Sequence, residues 1–95
     1  MKVAVLMGST SDEAKMAAAR ETLEHFGIEV DWRVMSAHRT PTAVLDLASN
    51  ARQNGYVAMI CGAGMAAHLA GAVAAHTTLP VVGVPLSGGA LNGVD

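Results

Sequence analysis

His38 and Arg39 stand side by side in Ser36-Ala37-His38-Arg39-Thr40-Pro41. An imidazole gives and takes protons near neutral pH, and a guanidinium is a permanent, directional anion clamp. Together they suit proton transfer on a bound anion, although an ordinary loop histidine reads the same way locally. Gly8-Ser9-Thr10-Ser11-Asp12 is the second candidate. It joins a strand-like run to a helix-like one, so its hydroxyls and free N–H groups could receive a phosphate at a helix N-terminus. A plain turn with a Ser cap fits equally well. Asp12 and Glu13 weaken the phosphate reading, since first-turn carboxylates repel anions; Asp12 fits hydrogen bonds from sugar hydroxyls better. The third candidate is Gly62-Ala63-Gly64-Met65-Ala66-Ala67-His68. There His68 is either a core histidine satisfied by backbone or a pocket group. His25 and His76 sit at expected helix C-termini, where a cation offsets the dipole.

Other chemistries lack their signatures. The Gly8–Asp12 loop has no Gly-x-Gly-x-x-Gly and no Gly-Lys-Ser/Thr, so it is neither a dinucleotide fingerprint nor a Walker loop. Ser9 and Ser36 lie outside any Gly-x-Ser-x-Gly elbow. The histidines lack ligand spacing and have no carboxylate cluster, which argues against a metal site. A single cysteine, Cys61, excludes an internal disulfide and fits a reducing cytoplasm. A net charge of −2, with six scattered Lys and Arg, argues against a nucleic-acid face. The 52% hydrophobic and 15% charged composition excludes disorder. Tyr56 to Ala75 is apolar except for His68, but its glycines divide it into strand, turn and helix rather than a membrane span.

The elements that must position these groups alternate in type. Val3–Met7 is continuously apolar, as expected of a strand covered on both faces. Met16, Ala19, Leu23 and Phe26 follow at helical spacing, and Gly27 stops that helix. Ile28, Val30, Trp32 and Val34 alternate with polar residues, marking a half-exposed edge strand. Thr40-Pro41 opens a second helix, with Thr as cap, that ends before Asn54-Gly55. Val57–Cys61 is a third strand, a third helix runs from about Ala66 to His76, and Val81–Val84 is a fourth strand of central character. The order β-α-β-α-β-α-β requires a parallel sheet. Right-handed crossovers give a three-layer α/β fold of flavodoxin-like order 2-1-3-4. All three candidate loops, with Ser87–Asp95, then emerge at the carboxyl edge of one sheet, within one domain spanning residues 1–95.

Met7-Gly8-Ser9-Thr10-Ser11-Asp12, Ser36-Ala37-His38-Arg39-Thr40-Pro41, Gly62-Ala63-Gly64-Met65-Ala66-Ala67-His68-Leu69, Pro80-Val81-Val82-Gly83-Val84-Pro85 and Gly93-Val94-Asp95 occur in this order. Together they closely resemble the N5-carboxyaminoimidazole ribonucleotide mutase family of purine biosynthesis. The resemblance implies a cytoplasmic isomerase that moves a carboxylate from an exocyclic nitrogen to a ring carbon, with no metal or organic cofactor. It makes His38 the proton-transfer residue. It gives nucleotide binding to Ser9, Ser11, Asp12, Ser36 and Arg39, and a carbon dioxide pocket to Gly62, Ala63, Gly64 and His68. It implies a homo-octamer acting on a small-molecule ribonucleotide, with no nucleic-acid or membrane partner. The related carboxylase branch commonly has Lys at the position of Arg39, which favours the mutase. Met65 and Ala70 depart from the family's usual Gly and Pro. Family members also continue beyond Gly-Val-Asp, so a further strand and helices are expected past Asp95, and the chain reads as truncated. The rivals are the carboxylase using carbon dioxide and a nucleotide-binding fragment without turnover. A flavin carrier fits less well, because no aromatic stacking loops are present.

Overall fold

The computed structural model describes residues 1–64 and 68–87. Strand β1 (Lys2–Met7) enters a short 3-10 turn (Thr10–Asp12) and helix α1 (Glu13–His25). Strand β2 (Glu29–Val34), helix α2 (Pro41–Asn50), strand β3 (Tyr56–Ala63), helix α3 (Leu69–Ala74) and strand β4 (Val81–Pro85) follow. The four strands form one parallel sheet in the order β2-β1-β3-β4. This is the expected flavodoxin-like order.

Each face of the sheet takes its own helices. Ala4, Leu6, Met59 and Cys61 pack against Val44, Leu47 and Ala48 of α2 and Leu69 and Val73 of α3. Val5 and Met7 face the other way, onto Met16 of α1, with Leu86 beside them. Covered on both sides, β1 is buried from Val3 to Met7, which is why it reads as an unbroken apolar run. β2 is the expected half-exposed edge. The chain leaves α1 through Gly27 at φ +74, a left-handed conformation that costs glycine nothing.

Three local expectations change. Thr40 does not cap α2 with its side chain. Its hydroxyl instead accepts from Ser36 N (2.9 Å) and donates to Ser36 O (3.0 Å), closing the preceding turn. Among the described strands β4 lies at the edge, as the order 2-1-3-4 requires, but its apolar run does not read out as burial, since Val82 is 51% exposed. Helix α3 begins at Leu69; the expected first turn falls in residues 65–67, outside the described residues. Its Leu69 and Val73 are buried on the sheet, while Gly71 and Ala74 are exposed, because a helix on a sheet buries only one stripe.

At the amino edge of the sheet, Asp31 accepts from Arg33 Nε (3.1 Å to each oxygen) and from the Tyr56 hydroxyl. The Lys2 ammonium lies 4.2 Å from the centre of the Tyr56 ring. Partial burial pushes the Asp31 carboxyl up, but the Arg33 and Tyr56 donors outweigh it and hold the group below its ordinary range.

Candidate active site

The carboxyl ends of β1, β2 and β3 surround a cleft of about 160 Å³. Gly8, Ser9 and Asp12 come from the first junction, Ser36, Ala37 and His38 from the second, and Ala63, Gly64, His68 and Leu69 from the third. A second groove, of about 290 Å³, shares Ala37 and His68 with it and runs between α2 and α3.

The first junction is shaped by its own hydroxyls. Ser9 Oγ accepts from Ser11 N (3.3 Å) and pairs with Ser11 Oγ (3.0 Å), capping the 3-10 turn. Asp12 is the N-cap of α1, yet its carboxylate makes no capping bond. That leaves the carboxylate for the cleft, which it lines.

The second junction is a closed unit. Ser36 Oγ accepts from the backbone N–H groups of both His38 (3.2 Å) and Arg39 (3.1 Å). Thr40 N donates to Ser36 O at 2.8 Å. Two contacts then fasten this unit to the first junction. Met35 N donates to Met7 O (2.8 Å), and Arg39 Nη2 donates to Gly8 O (3.0 Å). His38 is thereby presented on a turn with little freedom of its own. Its ring centre lies 6.1 Å from that of His68, with the planes tilted by 37°. Two imidazoles therefore line one cleft together with the Asp12 carboxylate and Ser9.

Seven of the residues expected from sequence line this cleft: Ser9, Asp12, Ser36, His38, Ala63, Gly64 and His68. Ser11, Arg39 and Gly62 border the same junctions without lining the cleft itself. Ser11 supports Ser9, and Arg39 ties the two junctions. Gly62 faces α1: a Cβ there would lie 2.5 Å from Met16 Sδ. A Cβ on Gly64 would lie 3.0 Å from the Leu86 carbonyl oxygen, so close backbone approach also accounts for this second glycine. Gly8, Ala37 and Leu69 complete the wall. All three sit inside motifs already quoted, but none carries a side-chain group that could mark it as a site residue.

Among the described residues, no group of three His, Cys, Asp or Glu is placed to hold a metal. Among them too, no helix is long and apolar enough to cross a membrane. Cys61 is buried under α3, and burial pushes its thiol up to about 12.

A parallel sheet with a cleft at its carboxyl edge, framed by three strand-to-helix junctions, defines a flavodoxin-like α/β protein. The model of one family, AIR carboxylase, matches residues 2–95, and the chain belongs to that family. It is 50% identical over all 95 residues to the N5-carboxyaminoimidazole ribonucleotide mutase of Vibrio vulnificus, covering 59% of that relative. It is 51% identical over 94 residues to the protein of the same name from Saccharolobus solfataricus, covering 99% of this chain and 60% of that one. The crystal structure of Treponema denticola PurE superposes with a TM-score of 0.85 at 28% identity, over 97% of this chain and 59% of that one. The chain thus spans about three-fifths of the length of these relatives.

Proposed function

We propose that this chain carries the substrate cleft of an N5-carboxyaminoimidazole ribonucleotide mutase, an isomerase of purine biosynthesis. The observation that carries the reading is the meeting of His38, His68, Asp12, Ser9 and Ser36 in one cleft at the carboxyl edge. In this reading Ser9, Asp12, Ser36 and Arg39 hold the phosphate and ribose. The base lies between the second and third junctions. His38 gives a proton to the exocyclic nitrogen as the nitrogen–carboxylate bond breaks. The freed carbon dioxide is held against Ala63, Gly64 and His68 until the ring carbon attacks it. His38 then takes back the proton that the ring carbon loses, so the proton count closes and one group serves as acid and base. A confined site disfavours loss of carbon dioxide to solvent. Gly62 and Ser11 act at one remove, through packing and loop shape. The same reading includes a cytoplasmic setting and assembly as a homo-octamer, within one catalytic domain.

The carboxylase reaction is the competing reading, and the family's description as AIR carboxylase favours keeping it in view. The test is carboxylate transfer from N5-carboxyaminoimidazole ribonucleotide, assayed with and without added bicarbonate. Turnover independent of bicarbonate supports the mutase; turnover of aminoimidazole ribonucleotide only with bicarbonate supports the carboxylase. Activity with neither substrate refutes both.

A further inference from the structure

Glu13 opens α1 directly after the first junction, and a carboxylate there repels any anion the junction receives. Its side chain does not lie unattended. Trp32 Nε1 donates to Glu13 Oε1 at 3.1 Å. Trp32 pairs with Val5, two residues short of the strand end at Met7↔Val34, so the donor that holds this carboxylate is rooted below the rim of the sheet. On the same indole, the Arg20 guanidinium lies 5.1 Å from the ring centre, adding a cation to this side of α1. Trp32 is also the only tryptophan in the chain, on a strand whose edge position does not itself call for one.

We propose that Trp32 is a positioning residue for anion binding: its indole N–H retracts the Glu13 carboxylate from the Gly8–Asp12 junction. This keeps the charge where it favours the α1 dipole while lowering its repulsion of the ligand phosphate. The inference rests on the reading of that junction as the phosphate site.

The bond is tested first without ligand. Glu13→Gln exchanges the charged acceptor for a neutral amide, so the single-tryptophan emission should shift; an unchanged spectrum overturns the bond. Binding of aminoimidazole ribonucleotide is then measured by calorimetry on wild type, Trp32→Phe, and Trp32→Phe with Glu13→Gln. Phe keeps an aromatic ring there and removes the donor, and the Glu13→Gln rescue separates that loss from the loss of indole area and of the Arg20 contact. Trp32→Phe should bind about three- to fivefold more weakly at low salt, with the gap closing at high salt. Adding Glu13→Gln should restore wild-type affinity. Equal binding by wild type and Trp32→Phe overturns the inference alone. So does weakened binding that Glu13→Gln fails to rescue, because the defect is then one of packing. A wild type that binds no ribonucleotide overturns the site reading and the inference with it.

Discussion

Gly62 makes a quantitative test of how α1 is seated beside the cleft. A methyl placed there would sit 2.5 Å from Met16 Sδ, 3.0 Å from its Cε and 3.2 Å from its Cγ. Ordinary carbon contacts lie at about 3.5–4.0 Å, so the thioether must retreat by about 1 Å. Met16 is 2% exposed and has little space to retreat into. Overpacking of this kind costs about 1–3 kcal/mol. The pliant Met side chain favours the low end, and the reduced freedom of Ala in the unfolded chain offsets about 0.5 kcal/mol. Gly62→Ala should therefore destabilise by about 1 kcal/mol. Met16→Ala alone should cost about 2–5 kcal/mol through its cavity. The two changes share one space, so in the double variant the new methyl fills part of what Met16 vacates. The pair should be less destabilising than the sum of the singles by about 1 kcal/mol. Urea-induced equilibrium unfolding of the four proteins gives the coupling directly. Strict additivity would show that Gly62 and Met16 do not contend for the same volume, and the packing account of Gly62 would fall.

Further outcomes follow from the site and its surroundings. His38→Asn should lower carboxylate transfer by about a hundredfold or more while sparing ribonucleotide affinity, read from kcat and from calorimetry; near-native turnover removes His38 from the proton transfer. Arg39→Ala should weaken ribonucleotide binding by about tenfold or more, since it loses both a cation for the phosphate and the tie to the Gly8 carbonyl; unchanged titrations refute both roles. The depressed Asp31 group stabilises the fold above its ordinary value of 3.8, and that contribution fades as pH falls through the lower folded value. Tyr56→Phe removes one of its donors and should flatten the acid limb of a melting-temperature profile, which parallel limbs would contradict. Cys61, buried and pushed up to about 12, should react with a thiol reagent only as fast as the fold opens, so rapid labelling of the native protein would disprove its burial.

What sequence reveals about this chain divides along the range of the interactions. β1 and β2 are legible because burial leaves an imprint on neighbouring residues: Val3–Met7 is buried throughout, and Val30 and Trp32 are half-buried between exposed Glu29 and Arg33, although Val34 at the end of β2 is exposed and Asp31 is half-buried. Strand order follows from crossover chirality, and that order alone brings three distant junctions to one edge. Side-chain partners are another matter. Thr40 carries a hydroxyl equally suited to capping α2 and to closing the Ser36 turn, and only the folded geometry chooses. The motif containing Gly62 looks like one ligand-lining loop. Yet its first glycine answers to Met16 on α1 and its last to the Leu86 carbonyl, neither of which is a sequence neighbour. Arg39 reads as an anion clamp from its type, while its partner at Gly8 lies 31 residues away. Contacts of that span leave no periodic trace.

The place of β1 between β2 and β3 also has a consequence for biosynthesis. β1 leaves the ribosome before either strand it pairs with, and its second neighbour begins only at Tyr56. At about 5–20 residues per second, roughly 50 intervening residues take about 3–10 s to translate. Through that interval Val3–Met7 has one parallel partner at most, and its far edge stays open to any extended chain nearby. Nascent-chain vulnerability should therefore peak before β3 emerges, and slowed codons between Asn50 and Tyr56 should lower soluble yield more than the same codons placed after Ala63.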